Sequence, residues 1–293
     1  MQRRKLLLYS LLFMMGCTSG VKVQDQLAIT QLNNLKLAVT DVIGIEDLKR
    51  DYGDLRRTLE TVLRIPVELF PVDNYTAAVP ALLSGNVDMV FAGPSEYLIL
   101  QSRAKAIPVI AVNRVNYHSI IVVRADSDIK SVAQLKNKTI AMRQVGSTSG
   151  HIFPTKLLMD GGLDPNTDIN IVMLGDKGVL ELKNKVVDAW ATSSDKYDNI
   201  LASEGLSAQD FSILVKSNLL PSDVFVVSNQ LAPNLIEKLR MEMINNQEKI
   251  LKSLVAAATN YKYKDAKIVQ ANDSDYDTIR EVYTKIGQGN YLQ

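Results

Sequence analysis

One cysteine in 293 residues excludes a disulfide within the chain and any cysteine-based metal cluster. Two histidines, His118 and His151, without H-E-x-x-H or H-x-x-x-H spacing, leave no material for a zinc site. Charge of one sign is scarce as well. Lys and Arg number 33 against 32 Asp and Glu, a formal net charge of +1. No global field holds nucleic acid, and no long basic run occurs outside the extreme N-terminus. A Walker loop and a G-x-S-x-G elbow are both missing, and no base stands near a nucleophile. No catalytic residue, no metal and no cofactor is therefore expected.

Long apolar runs are also rare, and the one that opens the chain is short. In MQRRKLLLYSLLFMMGC, three basic residues precede Leu6 to Gly16, too few residues to span a bilayer but enough for an export signal. Cys17 stands where the run stops, after a small residue, and resembles the lipid-attachment cysteine of a bacterial lipoprotein signal. Residues 1–16 read as a signal peptide and 17–34 as a polar tether. The membrane then enters only through a lipid on Cys17, at the periplasmic face or the cell surface.

Beyond the tether, strands and helices alternate. LKLAVTDVI reads as a buried strand, Ile45 to Leu63 as a helix ended before Pro66, and VELF as a second strand. The pattern continues through VDMVFAG, a helix at Pro94 to Arg103, PVIAVN and SIIVVR. A second series of similar plan runs through TIAMR, NIVML and VVDAWAT before VFVVSN and three helical segments close the chain. Short strands alternating with helices argue for an α/β protein with mainly parallel sheets. Two lobes are expected, the first from 35–124 plus 225–293 and the second from 125–224. Extended crossings near Ser119 to Ala125 and Pro221 to Val227 would form the hinge.

The stretch GSTSGHIFP (Gly146 to Pro154) comes after a strand and opens a helical pattern. Its N–H groups, the helix dipole and the hydroxyls of Ser147, Thr148 and Ser149 can hold an oxyanion without a cation. Ser147 can equally be a plain helix cap. Pro154 predicts an irregular first turn. Tyr75 and Tyr97 each come after a strand of the first lobe, where ligands of open α/β sheets bind, and either can be a packing residue instead. Asp195, after VVDAWAT, is a helix cap or a carboxylate that selects a protonated or amino-bearing anion. Trp190, the sole tryptophan, lies in the strand leading to Asp195, so its emission is expected to report lobe closure.

GNVDMVFAGPSEY, the run from SIIVVRADSD to VGSTSGHIFP, VVDAWAT with its polar loop and DSDYDTIREVYTKI together resemble the phosphonate, phosphite and phosphate substrate-binding proteins of ABC importers, over nearly the whole chain after the leader. The resemblance implies a two-lobed periplasmic-binding-protein fold, type II-like, closing on its ligand by a hinge. It implies a monomeric, non-enzymatic protein that captures a small phosphorus oxyanion and hands it to a permease. The implied ligand contacts are Tyr75, Tyr97, Ser147, Thr148, Ser149 and Asp195. The same scaffold would serve a sensor that presents the anion to a signalling partner. Many relatives carry a histidine where this chain reads GDKG (Gly175 to Gly178), so the expectation is either that Asp176 or Lys177 replaces that contact or that the pocket is smaller and suits phosphite or methylphosphonate.

Overall fold

Leu48, Leu55, Leu59 and Val62 recur at helical spacing, and the structure buries all four on one side of a 19-residue helix. Arg64 ends that helix in the left-handed region, its N–H donating to Glu60 O, and Pro66 forbids continuation. The computed structural model describes residues 31–74 and 77–292. The segment 1–16 expected as a signal peptide, Cys17 and Tyr75 lie outside these residues.

The chain opens with β1 (Leu35–Val39), α1 (Ile45–Leu63), β2 (Val67–Phe70), α2 (Ala78–Leu83), β3 (Met89–Ala92), α3 (Pro94–Ala104) and β4 (Ile107–Asn113). It crosses to β5 (Ser119–Arg124), β6 (Lys138–Met142), α4 (Phe153–Asp160), β7 (Ile169–Met173), α5 (Gly178–Lys183), β8 (Ala189–Ser193), α6 (Ser194–Ser203) and β9 (Phe211–Lys216). It returns through β10 (Asp223–Val227), α7 (Pro233–Asn245), α8 (Gln247–Leu254), β11 (Lys267–Gln270) and α9 (Asp277–Lys285).

Two sheets result, ordered β11-β4-β10-β3-β1-β2 and β7-β6-β8-β5-β9. Both are mixed rather than mainly parallel. β10, returning from the second lobe, runs against β3 and β4, and β5 runs against β8 and β9. Helices cover both faces of the first sheet. α1, α7 and α8 seal one apolar cluster, α2, α3 and α9 the other.

The lobe limits differ from the expected ones. SIIVVR is β5 of the second sheet, not the end of the first lobe, and DVFVV belongs to the first sheet. A β-branched run that is buried along its length looks the same whether it crosses between lobes or sits inside a sheet. The crossings are the shorter segments 114–118 and 217–222, tied together by Leu220 N donating to Tyr117 O at 2.8 Å. VVDAWAT starts as a strand three residues late, because the N–H groups of Val186 and Val187 close the end of α5 on Glu181 O. FSILVK and KIVQ, unread in the sequence, are strands at an edge of each sheet.

Trp190 is fully buried inside the second lobe, its Nε1 donating to Gly175 O at 3.1 Å. Its emission therefore reports packing of that lobe more than closure. Gly178 lies against this ring, and a Cβ there would sit 2.6 Å from Trp190 Cδ1 and 2.8 Å from Ala141 Cβ. Gly178→Ala is expected to destabilise the chain by about 1–3 kcal/mol through overpacking. Urea unfolding followed by Trp190 emission measures it, and an unchanged midpoint would contradict the packing described.

Candidate functional site

Thr40 after β1, Gly93 after β3, Arg143 after β6 and Ser193 at the end of β8 all stand at the carboxyl ends of strands, the usual ligand side of an α/β sheet. Between the two sheets they line a cavity of about 40 Å³ together with the crossing and the Ser147–Ser149 turn. A single water needs about 10–15 Å³ on this measure, so the space suits a group of a few heavy atoms.

The Gly146 to Pro154 stretch is irregular at its start, as Pro154 predicts. Thr148–Ile152 forms a π-turn that runs directly into α4, with Pro154 in the helix's first turn. Ser147 occupies the cap position but its side chain makes no capping hydrogen bond. The plain-cap reading therefore lacks its one required contact. The N–H groups of Thr148, Ser149 and Gly150 open the turn, with no preceding carbonyl of the turn to take them. Gly150 is needed for close approach, since a Cβ there would meet Arg143 Cγ at 2.5 Å.

Two more helices begin at the same cavity. α3 starts after Gly93 and α6 after Ser193, and neither has a side-chain cap bond. Their positive ends add to that of the π-turn. Thr40 and Ser193 line the cavity, and their hydroxyl oxygens are shielded from solvent and have no hydrogen-bond partner among the described residues. Buried hydroxyls without partners in a polar cavity mark where a ligand's oxygens would go.

Cations that sequence reading missed surround the cavity. Arg114, in the crossing, is 4% exposed and lies 3.5 Å over the ring of Tyr117. Its Nε donates to Asp195 Oδ2 at 2.6 Å, and Nη1 stands 3.3 Å from Asp223 Oδ2. Burial opposes the charge, but the two carboxylates hold the guanidinium well above its usual pKa. Lys262 pairs with Asp41, and although burial raises the Asp41 carboxyl, Lys262 and Lys196 bring it below the ordinary range. Lys196 has no hydrogen bond or ion pair among the described residues. Burial first, then Arg143 and Lys262, push its ammonium down to about 7, although part of its stem faces an open compartment. Glu96, buried in the first turn of α3, is pushed up to about 7 by burial. A protonated carboxyl there can donate to an anion.

The expected contacts divide. Ser147 and Ser149 line the cavity, as does Thr148, whose hydroxyl is also 2.7 Å from Ser95 Oγ of the first lobe. Asp195 is taken by Arg114 on one oxygen, and its other oxygen is buried without a partner. Tyr97 stands outside the cavity lining. Its hydroxyl donates to Asp273 Oδ1 at 2.5 Å and its ring packs on Tyr276 at 4.4 Å between centroids. Asp176 pairs with Arg143 Nε at 3.5 Å and does not line the cavity, nor does Lys177. His118 Nδ1 lies 2.8 Å from Ser217 O, joining the two crossings, and His151 Nδ1 accepts from Gly146 N. Lys196 stands one position after Asp195 in the loop singled out from sequence. Its only signal was that placement, as the third residue of a helix that starts where a strand ends.

This electrostatic arrangement has two measurable consequences. Arg114→Met strands two buried carboxylates and is expected to destabilise the fold by about 3–5 kcal/mol, read from urea midpoints, with partial recovery when Asp195→Asn and Asp223→Asn are added. A loss under about 1 kcal/mol would show that the pairing is not structural. Lys196→Met should act oppositely, raising the ligand-free thermal midpoint at pH 6 by roughly 2–4 °C, equivalent to about 1 kcal/mol in a chain of this size. The Lys196 pKa is depressed from about 10.4 in the unfolded chain to about 7. Its penalty is thus full below pH 7 and fades as pH rises toward about 10, where the midpoints of the two proteins should converge.

A family model described as ABC transporter, phosphonate, periplasmic substrate-binding protein matches residues 39–276. The Phosphate-import protein PhnD of Mycolicibacterium smegmatis is 26% identical over 289 residues, covering 91% of this chain and 90% of its own. Among solved structures, PhnD1 from Prochlorococcus marinus in complex with methylphosphonate superposes with a TM-score of 0.70 at 18% identity, covering 87% of this chain and 99% of that one. XAC2383 from Xanthomonas citri bound to ATP gives 0.74 at 18% identity, covering 89% and 100%. The likeness to these structures carries the two-lobed fold, and the family match carries the class. The chain belongs to the periplasmic substrate-binding proteins of phosphonate ABC transporters, and it is a binding protein rather than an enzyme.

Proposed function

We propose that this protein captures a small phosphorus oxyanion, such as phosphite, methylphosphonate or phosphate, and delivers it to its ABC permease while anchored to the membrane by a lipid on Cys17. The observation that carries the reading is the uncapped Ser147 turn, which faces the same cavity as the starts of α3 and α6 and the unpaired Lys196. Three positive helix or turn ends, two hydroxyls and one ammonium, the last three without a partner among the described residues, converge on this cavity as donors. The other cations are matched by Asp41, Asp195, Asp176 and Asp223, so the site offers directed hydrogen bonds rather than bulk positive charge. The carboxylates Asp41 and Asp223 line the cavity and accept from a ligand that keeps a proton, which favours phosphorus oxyanions over fully ionised sulfate. The relatives bearing phosphate-import and methylphosphonate descriptions point the same way.

Calorimetric titration with phosphite, methylphosphonate, phosphate and sulfate tests the proposal. One or more phosphorus oxyanions should bind at micromolar Kd or tighter while sulfate stays silent. Ser147→Ala should weaken that binding at least tenfold with the ligand-free midpoint unchanged, because the hydroxyl caps nothing. Thr148→Ala should instead lower the midpoint, since it removes the contact with Ser95. Silence across the panel, or tight sulfate binding, would overturn the assignment.

A further inference from the structure

Behind the small cavity lies a second compartment of about 710 Å³ that opens to solvent. Four side chains, Asp41, Arg143, Lys196 and Lys262, line both spaces. The two spaces therefore share a wall contributed by these four residues. A volume in this range is that of an ordinary small-molecule pocket, far more than a bare tetrahedral anion fills.

The chemistry of the outer wall is specific. Asp176 Oδ1 is shielded from solvent and accepts no hydrogen bond among the described residues, its ion-pair partner being Arg143 Nε at 3.5 Å. Lys196 supplies ammonium donors that no protein acceptor among the described residues takes. Asn199, Ser203 and Thr259 add polar side chains to the same wall. The nearby Asp51 carboxylate is already held on both oxygens by Arg50 and offers little to a ligand. An open acceptor beside an open donor suits a group that both gives and takes hydrogen bonds. The compartment is lined by the acids Asp41, Asp47, Asp51 and Asp176 and the cations Arg143, Lys196 and Lys262. An ammonium substituent leaves the Lys196 donors unmet and a carboxylate leaves the Asp176 acceptor unmet, whereas a hydroxyl serves both.

We infer that the oxyanion carries a hydroxylated substituent, so that the ligand is a phosphomonoester or monosubstituted phosphonate whose head occupies the small cavity and whose polyol-like tail passes between Lys196 and Lys262 into the outer compartment. This rests on the anion-site reading of the small cavity. The head is fixed by the turn and helix ends, and the tail contributes through Asp176, Asn199 and Ser203.

The test is calorimetry of the full-length chain with phosphate, methylphosphonate, glycerol 1-phosphate and n-propyl phosphate. The last two share a tail length and differ in hydroxyls. Glycerol 1-phosphate should bind at least as tightly as phosphate and at least tenfold more tightly than n-propyl phosphate. Ser203→Phe, at an exposed helical position, should narrow the outer compartment and weaken glycerol 1-phosphate at least tenfold while leaving phosphate within twofold. Asp176→Asn should close the gap between glycerol 1-phosphate and n-propyl phosphate. Binding of phosphate or methylphosphonate with rejection of both esters would overturn this inference alone, as would equal affinity for the two esters. Failure of every compound to bind would overturn the anion site as well.

Discussion

The guanidinium of Arg114 is the constraint on which the rest of the cleft depends. It projects from the crossing between sheets and is held by Asp195 from the second lobe and Asp223 from the first. A charge this deeply buried is tolerable only because two carboxylates and the face of Tyr117 surround it. Tyr263 donates to Asp223 Oδ2 at 2.7 Å and the Tyr117 hydroxyl engages Ser149, so the network reaches from the first lobe's core to the anion turn. The relative position of the lobes in the structure is thus an electrostatic requirement as much as a packing one.

That requirement explains how the site can be rich in charge and still selective. Arg114, Arg143 and Lys262 each have an acid beside them, which leaves their field largely cancelled at the cavity. The uncancelled remainder is directional: turn and helix N–H groups, the Thr40 and Ser193 hydroxyls, and Lys196. An unsatisfied buried polar group costs roughly 1–3 kcal/mol. The protein carries several of them at one place, and a ligand that bonds to all of them at once recovers that energy. Stability has been given up locally where recognition needs open valences.

Much of the architecture is legible in the sequence because periodicity and punctuation agree. α1 is bounded to the residue by its apolar spacing, Arg64 and Pro66, and β2 and β5 by their β-branched content. The irregular turn at Thr148–Ile152 is legible because Pro154 stands in the first turn of the helix that follows. The assignment of β5 to a lobe is not, since no local pattern distinguishes a crossing from a buried strand. Tyr97 escapes sequence reading for a related reason. Its position after β3 is right for a ligand contact, but Tyr276 and Asp273, some 180 residues later in sequence, draw the ring and hydroxyl into the core. Arg114, Lys196 and Lys262 carry no motif at all. Each reaches the cavity lining only through the fold, which gathers residues distant in sequence and which spacing does not encode.

Closure and recognition are also coupled through contacts that do not touch the cavity's centre. Ser95 N donates to Thr148 Oγ1 at 3.0 Å and Ser95 Oγ to Gly146 O at 2.6 Å, so the start of α3 grips the anion turn across the cleft. Lys285 of α9 reaches Asp160 at the end of α4, a second grip on the flank. Parting the lobes would break both grips and expose Arg114 to water, while bringing them together aligns three positive ends on one small volume. Without an anion those ends repel one another and Lys196 stands unpaired. With one, the same geometry becomes mutually supportive. On the proposed function a ligand is the missing member of this polar network, so that the affinity of the site and the closing of the lobes would be one free-energy term seen from two sides.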